Sequence, residues 1–129
     1  MRVRLTFEAQ HTIENPNFNV SFIRSDNVPC CNYNTTMDQF PIPSLGGQGT
    51  IELLTPPLKL VAELYAIHVM VYDTAFQRLY SAQMGTTFHV RHHLLSTHFG
   101  VFHESAEWSW PTNDSEQCHA TTILKDEHA

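Results

Sequence analysis

The feature that most constrains this chain is a regular alternation of residue types in its middle. Apolar or aromatic residues stand at every second position of residues 63–73, namely Tyr65, Ile67, Val69 and Val71. This period is typical of a β-strand that buries one face, because successive side chains of a strand point to opposite sides. Two prolines at 56 and 57 and a turn-forming Asp73-Thr74 pair bound the strand. No segment has a comparable helical pattern.

The same reasoning predicts seven or eight short strands. The other candidate segments are residues 2–9, 18–23, 28–34, 50–54, 77–80, 86–91 and 99–103. Residues 35–49 contain two prolines and three glycines and are predicted to form a loop. Short strands with frequent turns are typical of an all-β protein, here an antiparallel β-sandwich. The pattern leaves immunoglobulin-like and jelly-roll topologies both open.

Size and charge restrict the function further. A chain of 129 residues forms one domain, which we place at residues 1–110, followed by a polar C-terminal tail at 111–129. The net charge of −6 and seven scattered Lys and Arg residues argue against nucleic acid or an anionic membrane as a partner, because such partners require clustered positive charge. The N-terminal sequence alternates charged and apolar residues, so we expect no signal peptide and no direct membrane insertion.

The cysteines predict a reducing compartment. Cys30 and Cys31 are adjacent and Cys118 lies in the tail, which is an odd number without the spacing of a disulfide framework. Adjacent residues of a strand point to opposite faces, so a bond between the first two would strain the backbone. We therefore expect three thiols and a cytoplasmic protein.

Three segments taken together resemble a known family. They are IENPNFNVSFIRSDNVPCCNYNTT at 13–36, GGQGTIELLTPPLKLVAELYAIHVMVYDTAFQRLYSAQMGTTFHV at 46–90, and FGVFHESAEWSW at 99–110. In this order they look like the carbohydrate-binding C-terminal domain of Wzt-type ATP-binding proteins, which belong to O-antigen ABC transporters. The resemblance implies a non-catalytic domain that recognises a lipid-linked polysaccharide in the cytoplasm. It also implies a transporter ATPase and membrane subunits as partners.

The predicted binding face follows from the strand pattern. If the alternating apolar residues of 63–73 fill the core, the residues between them face outward. Aromatic faces bind the apolar faces of sugar rings, while amide, imidazole and guanidinium groups bond the hydroxyls. The candidate carbohydrate-binding residues are His68, Tyr72, His89, Arg91, Asn32 and Asn34. Trp108 and Trp110 are interpreted as packing residues at the edge of the sandwich.

Two other functions are alternatives to carbohydrate binding. Nine histidines raise the possibility of a small metal-binding, cupin-like protein, but no His-x-His pair is present and we expect no metal site and no cofactor. A structural oligomerisation module is the third possibility. No serine lies in a nucleophile elbow and no glycine loop precedes a lysine, so we expect no enzymatic activity and no ATP binding.

The sequence also predicts a homodimer. The resembling family has one or two strands ahead of the segment that matches residues 3–9, whereas this sequence starts within the pattern. A sheet edge without its usual neighbour pairs readily with another chain. Sedimentation analysis at a protein concentration on the order of tens of micromolar should therefore show a dimer. A single species with the 14.8 kDa mass of one chain would contradict this prediction.

Overall fold

The computed structural model describes residues 1–91, 100–110 and 121. It contains six strands, which are β1 (Arg2–Glu14), β2 (Asn17–Arg24), β3 (Pro29–Asn34), β4 (Ser44–Leu54), β5 (Glu63–Tyr72) and β6 (Leu79–Val90). All pairings are antiparallel. The described residues contain no helix, so the all-β prediction is confirmed, with a strand number slightly below the one expected.

The strands form two sheets. One is a pair, β1–β4, and the other has four strands in the order β3–β2–β5–β6. The inner faces of both sheets supply a core in which Phe22 and Tyr65 have no exposed surface. Val3 of β1 and Val20 of β2 complete it, together with Leu60 from the segment before β5. β2 and β5 are therefore the central strands. On the side of β5 predicted to be inward, Tyr65 is fully buried and Ile67 packs against the core, while Val69 and Val71 are half-buried.

Several predicted boundaries are wrong, for identifiable reasons. The predicted strands at 77–80 and 86–91 fall mostly within one strand, β6 (Leu79–Val90). The residues between them continue to pair with β5, and extra residues are absorbed at two register shifts. Residues 44–49 are strand and not loop, because β1 extends to Glu14 and supplies backbone partners for them. Of the segment 99–103, the described part makes one bridge, between Leu60 and Phe102.

Two predicted features lie wholly or partly outside the described residues. The C-terminal tail at 111–129 is described only at Thr121, and Cys118 lies within it.

Cys30 and Cys31 are described, and both are free thiols, as predicted. Burial raises the pKa of the Cys30 thiol, which keeps it in the protonated form that suits a half-buried position.

A glycine in β4 explains how a glycine-rich segment forms a strand. Gly49 pairs with Phe7 of β1, and a Cβ at Gly49 would lie 2.5 Å from Cζ of that ring. Phe7 in turn packs on Phe18 of the other sheet, with ring centroids 6.1 Å apart. The glycine leaves room for an aromatic ring that joins the two sheets.

We expect Gly49→Ala to destabilise the domain by about 1–3 kcal/mol, because the new methyl group forces the Phe7 ring away from Phe18. Urea unfolding followed by circular dichroism measures the change. Gly46→Ala is the matched control, since the nearest atom to its Cβ would be Oγ1 of Thr12 at 3.7 Å. The control should stay within about 0.5 kcal/mol of the parent, and equal effects at both glycines would contradict the role of Phe7.

Candidate functional site

The outer face of the four-stranded sheet carries the polar residues predicted to form the site. Two cross-strand rows define what we call the amide face, Asn32–Ser21–His68–Met84 and Asn34–Asn19–Met70–Ala82. The strand register places these side chains on one side of the sheet, because residues that pair directly across strands point the same way. Neither row contains Asp, Glu, Lys or Arg.

The amides of this face form a connected network. The Asn32 side chain donates from Nδ2 to Oδ1 of Asn19 and to Oγ of Ser21, both at 2.9 Å. Nδ2 of Asn19 donates to the same Ser21 oxygen at 3.4 Å. Nδ2 of Asn34 donates to Oδ1 of Asn19 at 3.2 Å. Because Asn19 and Ser21 are buried, these hydrogen bonds satisfy polar groups that water does not reach.

The network leaves one amide oxygen facing outward. Asn32 is exposed and its Nδ2 donates within the network, while its Oδ1 has no hydrogen-bond partner among the described residues. The side chain is therefore held in one orientation with an acceptor toward solvent. His68, in the same row, is half-buried and its ring makes no hydrogen bond within the described part of the chain. The Asn32 oxygen and the His68 imidazole can form hydrogen bonds with hydroxyl groups of a ligand. The methionines of the two rows can contact its apolar surface.

Asn34 has a structural role. It is 4% exposed, and its Oδ1 accepts hydrogen bonds from the backbone N–H groups of Thr36 and Met37. These bonds begin a tight turn over residues 35–39, which closes with a hydrogen bond from N–H of Phe40 to O of Thr35 at 2.8 Å. Both polar atoms of Asn34 are thus occupied within the protein, and Asn34 does not present a free group to a ligand.

Asn17 anchors the same turn from β2. Its Oδ1 accepts hydrogen bonds from the Thr35 hydroxyl at 3.1 Å and from N–H of Thr36 at 3.2 Å. Asn17 is fully buried, and its Nδ2 is the one buried side-chain nitrogen or oxygen without a partner in the described residues. The turn that follows β3 is therefore fastened to β2 as well as to β3.

The remaining predicted residues lie at the ends of the face. Tyr72 is four positions along β5 from His68, roughly 14 Å away at the rise of a strand. Its hydroxyl donates to Sδ of Met70 at 3.2 Å, and its ring lies 5.8 Å from that of Phe76. At the opposite end, His89 pairs with Leu64 and is exposed. The predicted set therefore extends along the sheet and does not form a compact pocket.

Arg91 follows directly after β6 and is exposed. It lines a cavity of about 370 Å³ together with His103 and Glu104. Glu104 forms an ion pair with Lys59 at 2.6 Å in the same cavity, which lowers the pKa of the Glu104 carboxyl. Arg91 belongs to this charged end of the sheet and is separated from the central rows.

Two further predictions concern tryptophan and metal. The interpretation of Trp108 and Trp110 as packing residues is wrong, because they are 95% and 96% exposed. No group of three His, Cys, Asp or Glu side chains lies close enough to hold a metal ion within residues 1–91 and 100–110. Five of the nine histidines, His92, His93, His98, His119 and His128, lie outside the described residues.

Comparison with known proteins adds no assignment. No family model matches this chain, and no curated protein matches it. The resemblance to the Wzt-type domain therefore stays a prediction. Among the residues that the structure describes, no helix combines the length and apolar character needed to cross a membrane.

We expect Asn19→Ala to destabilise the domain by about 1–3 kcal/mol, because it removes the acceptor of Asn34, whose amide is buried. Asn32→Ala is the matched control. It removes two hydrogen bonds of an exposed side chain and should cost less than about 1 kcal/mol. Denaturant unfolding of both variants measures the difference, and a larger loss for Asn32→Ala would contradict the buried network.

Proposed function

We propose that this chain is a non-catalytic carbohydrate-binding domain and that the amide face is its binding surface. The observation that supports the proposal is the network that holds Asn32 with its Oδ1 outward, in one row with His68. Polar side chains that are already held in place lose less conformational freedom when a ligand binds than mobile side chains do. The rows carry no ionised Asp, Glu, Lys or Arg, which suits neutral sugar hydroxyls.

The extent of the face favours an oligosaccharide over a single sugar. Tyr72 and His89 each lie roughly 14 Å along the sheet from the level of His68. Several sugar residues laid along β5 would contact Tyr72 at one end, the Asn32–His68 row in the middle and His89 at the other end. Such a shallow, solvent-exposed surface gives weak binding, because few contacts are fully desolvated.

The resemblance of residues 13–36, 46–90 and 99–110 supports a more specific role. By that resemblance the ligand is a lipid-linked, O-antigen-like polysaccharide in the cytoplasm. Binding would be coupled to export by an ABC transporter, with its ATPase and membrane subunits as partners. The homodimer belongs to the same proposal, since a dimer would offer two amide faces to one polysaccharide chain and so raise its overall affinity.

Calorimetry with a panel of oligosaccharides tests the site. We expect a dissociation constant near ~1 mM for the preferred glycan. Asn32→Ala and His68→Ala should each weaken it by about fivefold, the effect of one lost hydrogen bond. Tyr72→Ala and His89→Ala should weaken longer oligosaccharides more than short ones, because those residues lie at the ends of the face.

Gln48→Ala is the control, because Gln48 is exposed on the outward side of the other sheet. Binding should be unchanged in this variant and in the presence of EDTA. Trp108→Ala tests the competing surface offered by the exposed tryptophans. Loss of binding in Trp108→Ala with full binding in Asn32→Ala and His68→Ala would contradict the proposal, as would the failure of every glycan to bind.

A further inference from the structure

A cleft between the two sheets lies on the opposite side of β2 from the amide face. Its volume is about 480 Å³, which falls within the range of small-molecule sites. Its lining is contributed by the inner faces of both sheets: Leu5, Ile51 and Leu53 from one, and Phe18, Val20 and Tyr33 from the other. The cleft is distinct from the proposed glycan surface.

The strand order explains why this space is open. β4 and β3 are the terminal strands of their sheets, and residues of both line the cleft. In the part of the chain that the structure describes, two strands of one sheet face four of the other, so the inner faces differ in width. Ile51 and Leu53 remain half-exposed although they point inward. This unfilled apolar surface gains free energy when an apolar group covers it.

The rim of the cleft carries a negative charge. The tight turn after β3 places Phe40 and Asp38 there, and Asp38 is exposed and makes no ion pair with the described residues. The other carboxylate of the lining, Glu52, is paired with Arg2 and Arg4. The Tyr33 hydroxyl stays neutral, because burial raises its pKa to about 12.

We propose that the cleft between β4 and β3 is a second ligand site, which takes a small amphiphile with an apolar body and a cationic amine head. The body lies between the two sheets, and the head lies beside Asp38 at the rim. A carboxylate of the same length is rejected, because it would place a second negative charge next to Asp38 in a protein whose net charge is already −6. This proposal does not depend on glycan binding.

Calorimetry of the full chain with octylammonium and with octanoate, both as monomers, tests the assignment. The two probes share the apolar chain and differ in the sign of the head. We expect octylammonium to bind with a dissociation constant of ~1 mM or tighter and octanoate to bind at least about fivefold more weakly. Asp38→Asn should remove this preference and Asp38→Lys should reverse it, because residue 38 is exposed and its side chain has no partner among residues 1–91 and 100–110.

Ile51→Trp fills the cleft and should abolish the binding of both probes. Circular dichroism and thermal unfolding check that this variant folds, and the Asp38 variants decide the proposal if it does not. Glu107→Gln is the control, since it changes the same charge at an exposed position outside the cleft. The proposal is overturned if octylammonium fails to bind, or if its preference over octanoate survives in Asp38→Lys. It is also overturned if sedimentation shows a dimer that Ile51→Trp dissociates, because a second copy of the chain would then occupy the cleft.

Discussion

The hydrogen bond from the Tyr65 hydroxyl to O of Val61, at 2.7 Å, is the contact on which the core depends. Both residues are fully buried, and the bond fastens the segment before β5 to the centre of the four-stranded sheet. The Tyr65 ring stacks on Phe88 of β6 with centroids 5.5 Å apart, and Phe88 meets Phe22 of β2 edge-on at 5.0 Å. Three of the four strands of this sheet are thereby joined through aromatic contacts.

Burial also fixes the protonation of this tyrosine. It raises the pKa of Tyr65 from 10.0 to about 12, so the folded protein favours the neutral hydroxyl that donates the hydrogen bond. The stability that depends on it is complete below pH 10 and declines as the pH rises from 10 to 12, because the unfolded chain ionises first. Ionisation of Tyr65 therefore does not weaken this hydrogen bond at physiological pH.

β2 connects the core to the proposed site. Its inward residues Phe18, Val20 and Phe22 are buried between the sheets, while Asn19 and Ser21 on its outward side are buried among their neighbours and hydrogen-bonded. A central strand that is buried on both sides cannot slip in register without placing amides in the core. The position of the amide face is therefore set by the packing of the opposite face.

The sequence alone predicts much of this arrangement. The alternation in β5 predicts the buried side of the central strand, and period two in β2 and β3 places Asn19, Ser21, Asn32 and Asn34 on one face. The sequence does not predict that the Asn34 oxygen accepts hydrogen bonds from the turn that follows it. These bonds depend on how residues 35–39 fold. The strand β4 is missed for a similar reason, because its glycines are typical of a loop. The ring that packs over Gly49 belongs to Phe7, which is distant in sequence.

The sequence does not predict the cleft either. The cleft results from the unequal widths of the two sheets and from the turn that brings Asp38 to its rim. No local sequence pattern predicts how many strands of one sheet will face those of the other. The bulges that join 77–80 to 86–91 are likewise set by pairing with β5 and not by the residues of β6 themselves. Contacts between distant segments decide each of these features.

The central claim is that the outer face of β3, β2 and β5 recognises a glycan. Chemical-shift mapping of the isotope-labelled full chain during titration with the preferred oligosaccharide tests it most directly. We predict concentration-dependent shifts at Asn32, His68 and Met84, with little change at Ile51 and Phe40 on the other side of the sheet. Shifts confined to the inter-sheet residues, or to Trp108 and Trp110, would contradict the claim.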